Sequence, residues 1–243
     1  MRIGVLSDAH GNLAGFEAAL ASLGGWEALL FGGDLLGYYF DSRPVMERLR
    51  ELGAHCILGN HDACFLSQLG HPVDPPFNAP PAEAYRRRYG PALDLAAREL
   101  NQDDIAWLRA LTPSRRLELG GARILLVHGS PWQVWDEYVY PDHARFGRFA
   151  ELDDDLVVMG HTHRPLIRTE GRVTLLNPGS CGQPRDSNPA ASAAVVRVDD
   201  ASLRCEIVRA PYDRTRLLNR CRELAPSVPL LTEMLTRGEP NRS

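Results

Sequence analysis

Asp8 and His10 stand one residue apart, directly after the apolar run Arg2–Leu6. The same arrangement recurs down the chain. Asp34 closes a Gly-Gly-Asp after Ala28–Phe31, and Asn60, His61 and Asp62 form a Gly-Asn-His-Asp after Ala54–Leu58. His128 follows Arg123–Val127, and His161 and His163 form a Gly-His-Thr-His after Leu156–Met159. The side chains on offer are carboxylates, an amide and imidazoles, with no thiolate. Such oxygen and nitrogen donors suit Mn, Fe, Zn, Co or Ni. Taken singly, an Asp-x-His is usually a turn or cap pair, and a His-x-His can be an alternating strand pair. Five such motifs in order, each after an apolar run and together holding five of the eight histidines, point to one shared metal site.

Something must bring these motifs together, and the elements between them show what. Leu13, Phe16, Leu20 and Leu23 fall on one helical face between the first two apolar runs. Val45, Leu49 and Leu52 mark a second amphipathic helix, with Ser42 as the expected N-cap and Pro44 in its first turn. This β-α-β-α-β order predicts parallel strands with helical crossovers. In open α/β sheets the carboxyl ends of the strands form the ligand crevice, and every motif lies there. Residues 70–81 are proline-rich and read as an exposed loop, and 82–111 read as helical, so about 70–111 is expected to be an insertion or cap. Gly120-Gly121 joins two strands as a hairpin. Further strands are predicted at 156–159, 166–169, 173–176, 193–198 and 203–208, with one or two helices after Asp213.

At 243 residues the chain suits a single domain, 1–243, with room for a large core. A net charge of −4 carries no large basic field, so no strong nucleic-acid signal is present. All 27 basic residues are arginine. The lack of lysine excludes a P-loop ATPase and a Schiff-base enzyme. Five scattered cysteines without a C-x-x-C pair argue against a zinc ribbon or redox motif and fit a reducing compartment. The apolar N-terminal run is too short for a signal peptide or membrane span, so a cytoplasmic location without membrane contact is expected.

Together, Asp8-Ala-His10, Gly32-Gly-Asp34, Gly59-Asn-His-Asp62, Val127-His128 and Gly160-His-Thr-His163 resemble the five signature blocks of the calcineurin-like metallophosphoesterases. Asn177-Pro-Gly-Ser180 resembles a sixth block, of the small bacterial phosphodiesterase-like branch. The resemblance implies an α/β fold, a four-layer α-β-β-α sandwich of two mixed sheets with a small helical insertion. It also implies two adjacent divalent ions, Mn²⁺ first, with Fe, Zn, Ni or Co as alternatives. Asp8, His10 and His163 would hold one ion, Asn60, His128 and His161 the other, and Asp34 would bridge them. The implied reaction is hydrolysis of a phosphate ester, a diester by the branch resemblance, through attack of a dimetal-bound hydroxide. His61, beside Asn60 but outside the ligand set, would protonate the leaving group, with Asp62 orienting it. Asn60, His61 and Arg185 are the expected substrate contacts. A phosphomonoester or dinucleoside polyphosphate remains an alternative substrate. A nucleotide or other small phosphate ester is the expected partner, and oligomerisation is open.

Two other classes compete. A retromer subunit uses the same fold as an interaction scaffold, but such scaffolds lose metal-site histidines or the general acid, and this chain keeps them. A metal-dependent amidohydrolase also uses His-x-His, yet its pair follows the first barrel strand and often accompanies a carbamylated lysine. The segment after His128 carries Trp132, Trp135, Tyr138 and Tyr140. Trp132 and Trp135 are expected either to pack on the sheet edge or inserted helices, or to stack a nucleobase.

Overall fold

The alternating apolar and amphipathic segments of the first third form β1 (Arg2–Leu6), α1 (Leu13–Ser22), β2 (Ala28–Phe31), α2 (Ser42–Glu51) and β3 (His55–Cys56). In the computed structural model, which describes residues 1–199 and 202–237, β1 runs parallel to β2 with Ile3 opposite Ala28, and β2 runs parallel to β3. Helices α3 (Asn60–Gln68), α4 (Ala82–Tyr89), α5 (Ala92–Glu99) and α6 (Gln102–Arg109) follow. Next come β4 (Ser114–Leu119), β5 (Ala122–Val127), β6 (Leu156–Val158), β7 (Leu166–Glu170) and β8 (Val173–Asn177). The chain then forms β9 (Ala191–Asp199), β10 (Ser202–Ala210), α7 (Thr215–Leu224) and α8 (Leu230–Thr236).

Two mixed five-stranded sheets result, in the orders β10-β9-β1-β2-β3 and β4-β5-β6-β8-β7. In each, three neighbouring strands are parallel: β1, β2 and β3 in the first, β5, β6 and β8 in the second. The sheets pack face to face. Ile3, Val5 and Leu30 of the first meet Ile124, Leu126, Leu156 and Val158 of the second. The alternate residues turn outward. Leu29 and Phe31 pack under α1, α2 and the helices of 82–109, and Leu125, Val127 and Val157 pack under Phe146 and Phe149 of a short 3₁₀ helix. Burial on both faces explains why these strands read as unbroken apolar runs. The outer layer of the second sheet is thus one 3₁₀ helix and the loop before it, thinner than the helical layer on the first.

Tyr85, Leu93, Ala96, Leu100, Ile105 and Leu108 of the 82–109 segment share the core of the first sheet. Two local expectations change. Helix α2 begins at Ser42, after Asp41, and neither side chain caps it: Asp41 pairs with Arg220 of α7, and the buried Ser42 Oγ has no partner among the described residues. The predicted strand 54–58 shortens to two ladder residues, because the Leu58 amide turns to the Thr112 carbonyl.

Trp135 settles one open choice in favour of packing. It is 5% exposed, its Nε1 donates to the Pro75 carbonyl at 3.0 Å, and its ring packs against Phe77. Trp135→Ala is expected to lower stability by about 3–5 kcal/mol, as for other buried aromatics. For a chain of this size that is a fall in Tm of about 10 °C. Nucleotide and simple aryl substrates should be affected alike. A KM increase confined to nucleotides, with Tm unchanged, would refute this assignment.

Candidate metal centre

Six parallel strands end at one rim, and each delivers a polar side chain there. Asp8 and His10 follow β1, Asp34 follows β2, Asn60 starts α3 after β3, His128 follows β5, His161 and His163 follow β6, and Asn177 closes β8. Asp8, His10, Asp34, His128, His161 and His163 are all buried. Their ligand atoms form two groups, Asp8–His10–Asp34–His163 and Asp34–His128–His161, each within 4.8 Å, and Asp34 belongs to both. Asn60 Oδ1 lies 3.1 Å from His128 Nε2 and adds an amide oxygen to the second group.

The backbone is bent to bring them in. Asp8, His10, Asp34, His161 and His163 all have positive φ, between 49° and 66°. Left-handed backbone at a non-glycine residue costs of order 1 kcal/mol, and such strain gathers at functional sites. Gly59 serves close approach instead, since a Cβ there would lie 2.1 Å from Asp34 Oδ1. Backbone hydrogen bonds cross between the strand ends: the His161 amide donates to Asp8 Oδ1 at 3.1 Å and the His61 amide to Asp34 Oδ1 at 2.8 Å. Asn177 Nδ2 donates to the Gly160 carbonyl at 2.6 Å, and Ser180 Oγ to the Asp8 carbonyl at 2.6 Å.

Whether these residues fit a cation can be tested on the imidazoles. Nδ1 of His10, His128 and His163 faces the backbone carbonyls of Leu36, Gly32 and Gln183 at 2.9, 2.7 and 2.8 Å. A carbonyl only accepts, so each Nδ1 carries a hydrogen, and a neutral ring at His10 or His163 points a lone pair inward at Nε2. Burial pushes the pKa of both His10 and His163 down, favouring the neutral ring. Their two Nε2 atoms nevertheless face each other at 3.0 Å. Opposed lone pairs at that distance repel, and a shared cation resolves the repulsion. His161 Nε2 and Asp8 Oδ2 are likewise buried without a hydrogen-bond partner among the described residues. At His128 burial lowers the pKa, but Asp34, 3.3 Å away, outweighs it and raises it to about 9. The carboxylate draws positive charge to that point. The donor set fits divalent ions of the oxygen- and nitrogen-preferring kind.

His61 is buried to 7% exposure beside this group, caged by Tyr38, Tyr85, Tyr89 and His10 at ring distances of 4.9–5.5 Å. Its Nδ1 lies 2.5 Å from Tyr85 Oη. The expected orienting contact from Asp62 is not formed. The Asp62 carboxylate accepts instead from the amides of Leu35, Leu36 and Gly59 at 3.3, 2.9 and 3.0 Å. Being at the third position of α3, it is drawn to the amides left free where the β2 loop meets the helix start. Arg185 is half-buried at the rim. Its Nη2 donates to Tyr38 Oη at 2.7 Å and to Gln183 Oε1 at 2.9 Å, and among the described residues it has no carboxylate partner.

A cleft of about 260 Å³ opens beside the site, lined by Asn60, His61, Tyr85, Tyr89, Tyr138 and His161 among others. Its aromatic wall from the segment after His128 is Tyr138, not a tryptophan. Tyr138 lies on the His161 ring, 3.9 Å between centroids, and is 43% exposed. Trp132 instead packs edge-on to Phe149 under the Arg148 guanidinium. Glu137 anchors the segment through Ser130 and Arg148. Spacing carried no signal for Tyr85 or Tyr138: Tyr85 lies in the 82–111 segment that read only as helical, and Tyr138 read as one of several rings.

The geometry has relatives. The family model for the calcineurin-like phosphoesterase superfamily domain matches residues 1–201. An uncharacterized protein of Methanocaldococcus jannaschii is 28% identical over 236 residues, covering 87% of this chain and 88% of that one. The crystal structure of a metallophosphoesterase from Sphaerobacter thermophilus superposes with a TM-score of 0.75 at 29% identity, covering 98% and 100% of the two chains. A hypothetical protein of Pyrococcus horikoshii shares the fold, with a TM-score of 0.81 at 21% identity over 98% of each chain. With the family match spanning the strand ends that carry these carboxylates and imidazoles, this chain belongs to the calcineurin-like phosphoesterase superfamily.

Proposed function

We propose that the protein hydrolyses a phosphodiester with two divalent ions, manganese by preference, held by Asp8, His10 and His163 on one side and Asn60, His128 and His161 on the other, with Asp34 between. The observation that carries this reading is the pair of inward lone pairs, His10 Nε2 and His163 Nε2, 3.0 Å apart beside a carboxylate that also belongs to a second cluster. When bound, such ions acidify a water and neutralise charge on the phosphoryl oxygens.

The chain's own residues supply the rest. Asp34 keeps its negative charge: burial raises its pKa, but His128, His61 and His10 together hold it well below the usual range. Arg185, with no carboxylate partner among the described residues, offers its guanidinium to a phosphoryl oxygen. His61 Nε2 has no hydrogen-bond partner among the described residues, and the ring lines the cleft. That is where a leaving oxygen would take its proton. Tyr138 and Tyr89 wall the space next to it, which suits a bulky second ester group.

A diester monoanion asks for fewer cations than a monoester dianion. Arg185 is half-buried at the rim, whereas Arg164 is exposed and turned over the Tyr140 ring. Matched substrates decide the point, for example p-nitrophenyl phosphate against bis(p-nitrophenyl) phosphate with manganese-loaded protein. The diester is expected to have the higher kcat/KM. A monoester preference of about tenfold, 1.4 kcal/mol in transition-state binding, would reverse the assignment.

A further inference from the structure

We infer that Tyr85, from the inserted helix α4, is the positioning residue for His61, holding the ring so that Nε2 meets the leaving oxygen. This rests on the reading of His61 as the proton donor. Tyr85 Oη lies 2.5 Å from His61 Nδ1 and makes no other hydrogen bond among the described residues. The Tyr85 ring is 3% exposed and packs in the core of the first sheet, so its hydroxyl is a fixed point, not a surface group. Burial raises the phenol well above its ordinary pKa, so it keeps its proton.

A second observation shows that space is reserved for this pair. Gly37 has φ +101°, and a Cβ built there would lie 2.8 Å from His61 Nδ1 and 2.9 Å from Tyr85 Oη. Any side chain at residue 37 would intrude on the contact. Asp62, the nearest carboxylate in sequence, is occupied by the three backbone amides. The hydroxyl therefore takes the place a carboxylate would hold, and it comes from a segment outside the sheets. The 82–89 helix thus completes the site. Positional error of about 1 Å at a catalytic group can cost 10²-fold.

The test is Tyr85→Phe, which removes only the hydroxyl, in metal-loaded protein. For a diester with an alkyl alcohol leaving group, kcat should fall by about 10-fold to 10²-fold, with KM little changed. For a p-nitrophenol leaving group, which needs no proton, the change should stay under about twofold. In a His61→Ala background, Tyr85→Phe should add no further loss. Metal content should be unchanged, and nitrogen NMR of the zinc-loaded protein should show the His61 ring signals shifted with the sheet amides in place. Equal losses for both leaving groups, additive losses in the double variant, or unshifted ring signals would overturn the inference while leaving His61 as the donor. If His61→Ala itself lacks the leaving-group dependence, the donor assignment falls and the inference with it. Should the Phe variant melt early, the NMR comparison at low temperature still decides.

Discussion

Asp34→Asn is expected to abolish most activity by weakening both halves of the metal centre at once. Asp34 is the residue common to the two clusters, with Oδ2 3.6 Å from His10 Nε2 and 3.3 Å from His128 Nε2. Its other oxygen accepts from the His61 amide at 2.8 Å. Asparagine preserves the size and can preserve that acceptor. It loses the charge that would offset two dications held there, and it can turn an NH₂ toward the cluster. Metal charge stabilisation is worth several kcal/mol, so kcat/KM should drop by about 10³-fold or more. Elemental analysis should find one ion or fewer per chain. Asp8→Asn is the control: Asp8 belongs to one cluster, so the ion at His128 and His161 should remain. Two ions retained by Asp34→Asn, or activity that survives exhaustive chelation, would sink the shared-carboxylate mechanism.

His61→Ala should be nearly as damaging but for a different reason. The ring contributes no atom to either cluster and faces the cleft. Removing it should cost about 10²–10⁴-fold in kcat for a poor leaving group, the usual contribution of a positioned acid. Both ions should stay bound. The loss should shrink as the leaving group becomes more acidic. The side chain also sits among Tyr38, Tyr85 and Tyr89, so a cavity will lower Tm. His61→Gln keeps more of that volume and separates packing from proton transfer. A metal site emptied by His61→Ala would show that the ring supports ligands instead of the leaving group.

The positions of these residues were largely legible because they depend on short-range signals. A β strand buried on both faces announces itself as an apolar run, and its end is marked by Gly-Gly-Asp or Gly-Asn-His-Asp within four residues. The hairpin at Gly120-Gly121 and the helices of 82–109 followed from equally local patterns. Ser42 shows the limit of that logic. It is a good cap residue by type, but Asp41 beside it is taken by Arg220, 179 residues away. Likewise Asp62 is adjacent to His61 in sequence, yet adjacency on a helix start aims its carboxylate at backbone amides.

By itself the sequence determined the order of the strands and of most helices, though not α3 or the 3₁₀ helix, the donors at each strand end and, through the absence of thiolate and lysine chemistry, the kind of site they can build. Each of these is a property of a few consecutive residues. Tertiary structure alone decided that β1–β3 and β5, β6 and β8 present their ends at one rim, so that His10 meets His163 across 153 residues. It also decided that five site residues take left-handed backbone, that Tyr138 and not a tryptophan lies on His161, and that Tyr85 reaches His61. These contacts are long-range, set by how two sheets and helix α4 pack, and packing geometry leaves no periodic mark in the chain.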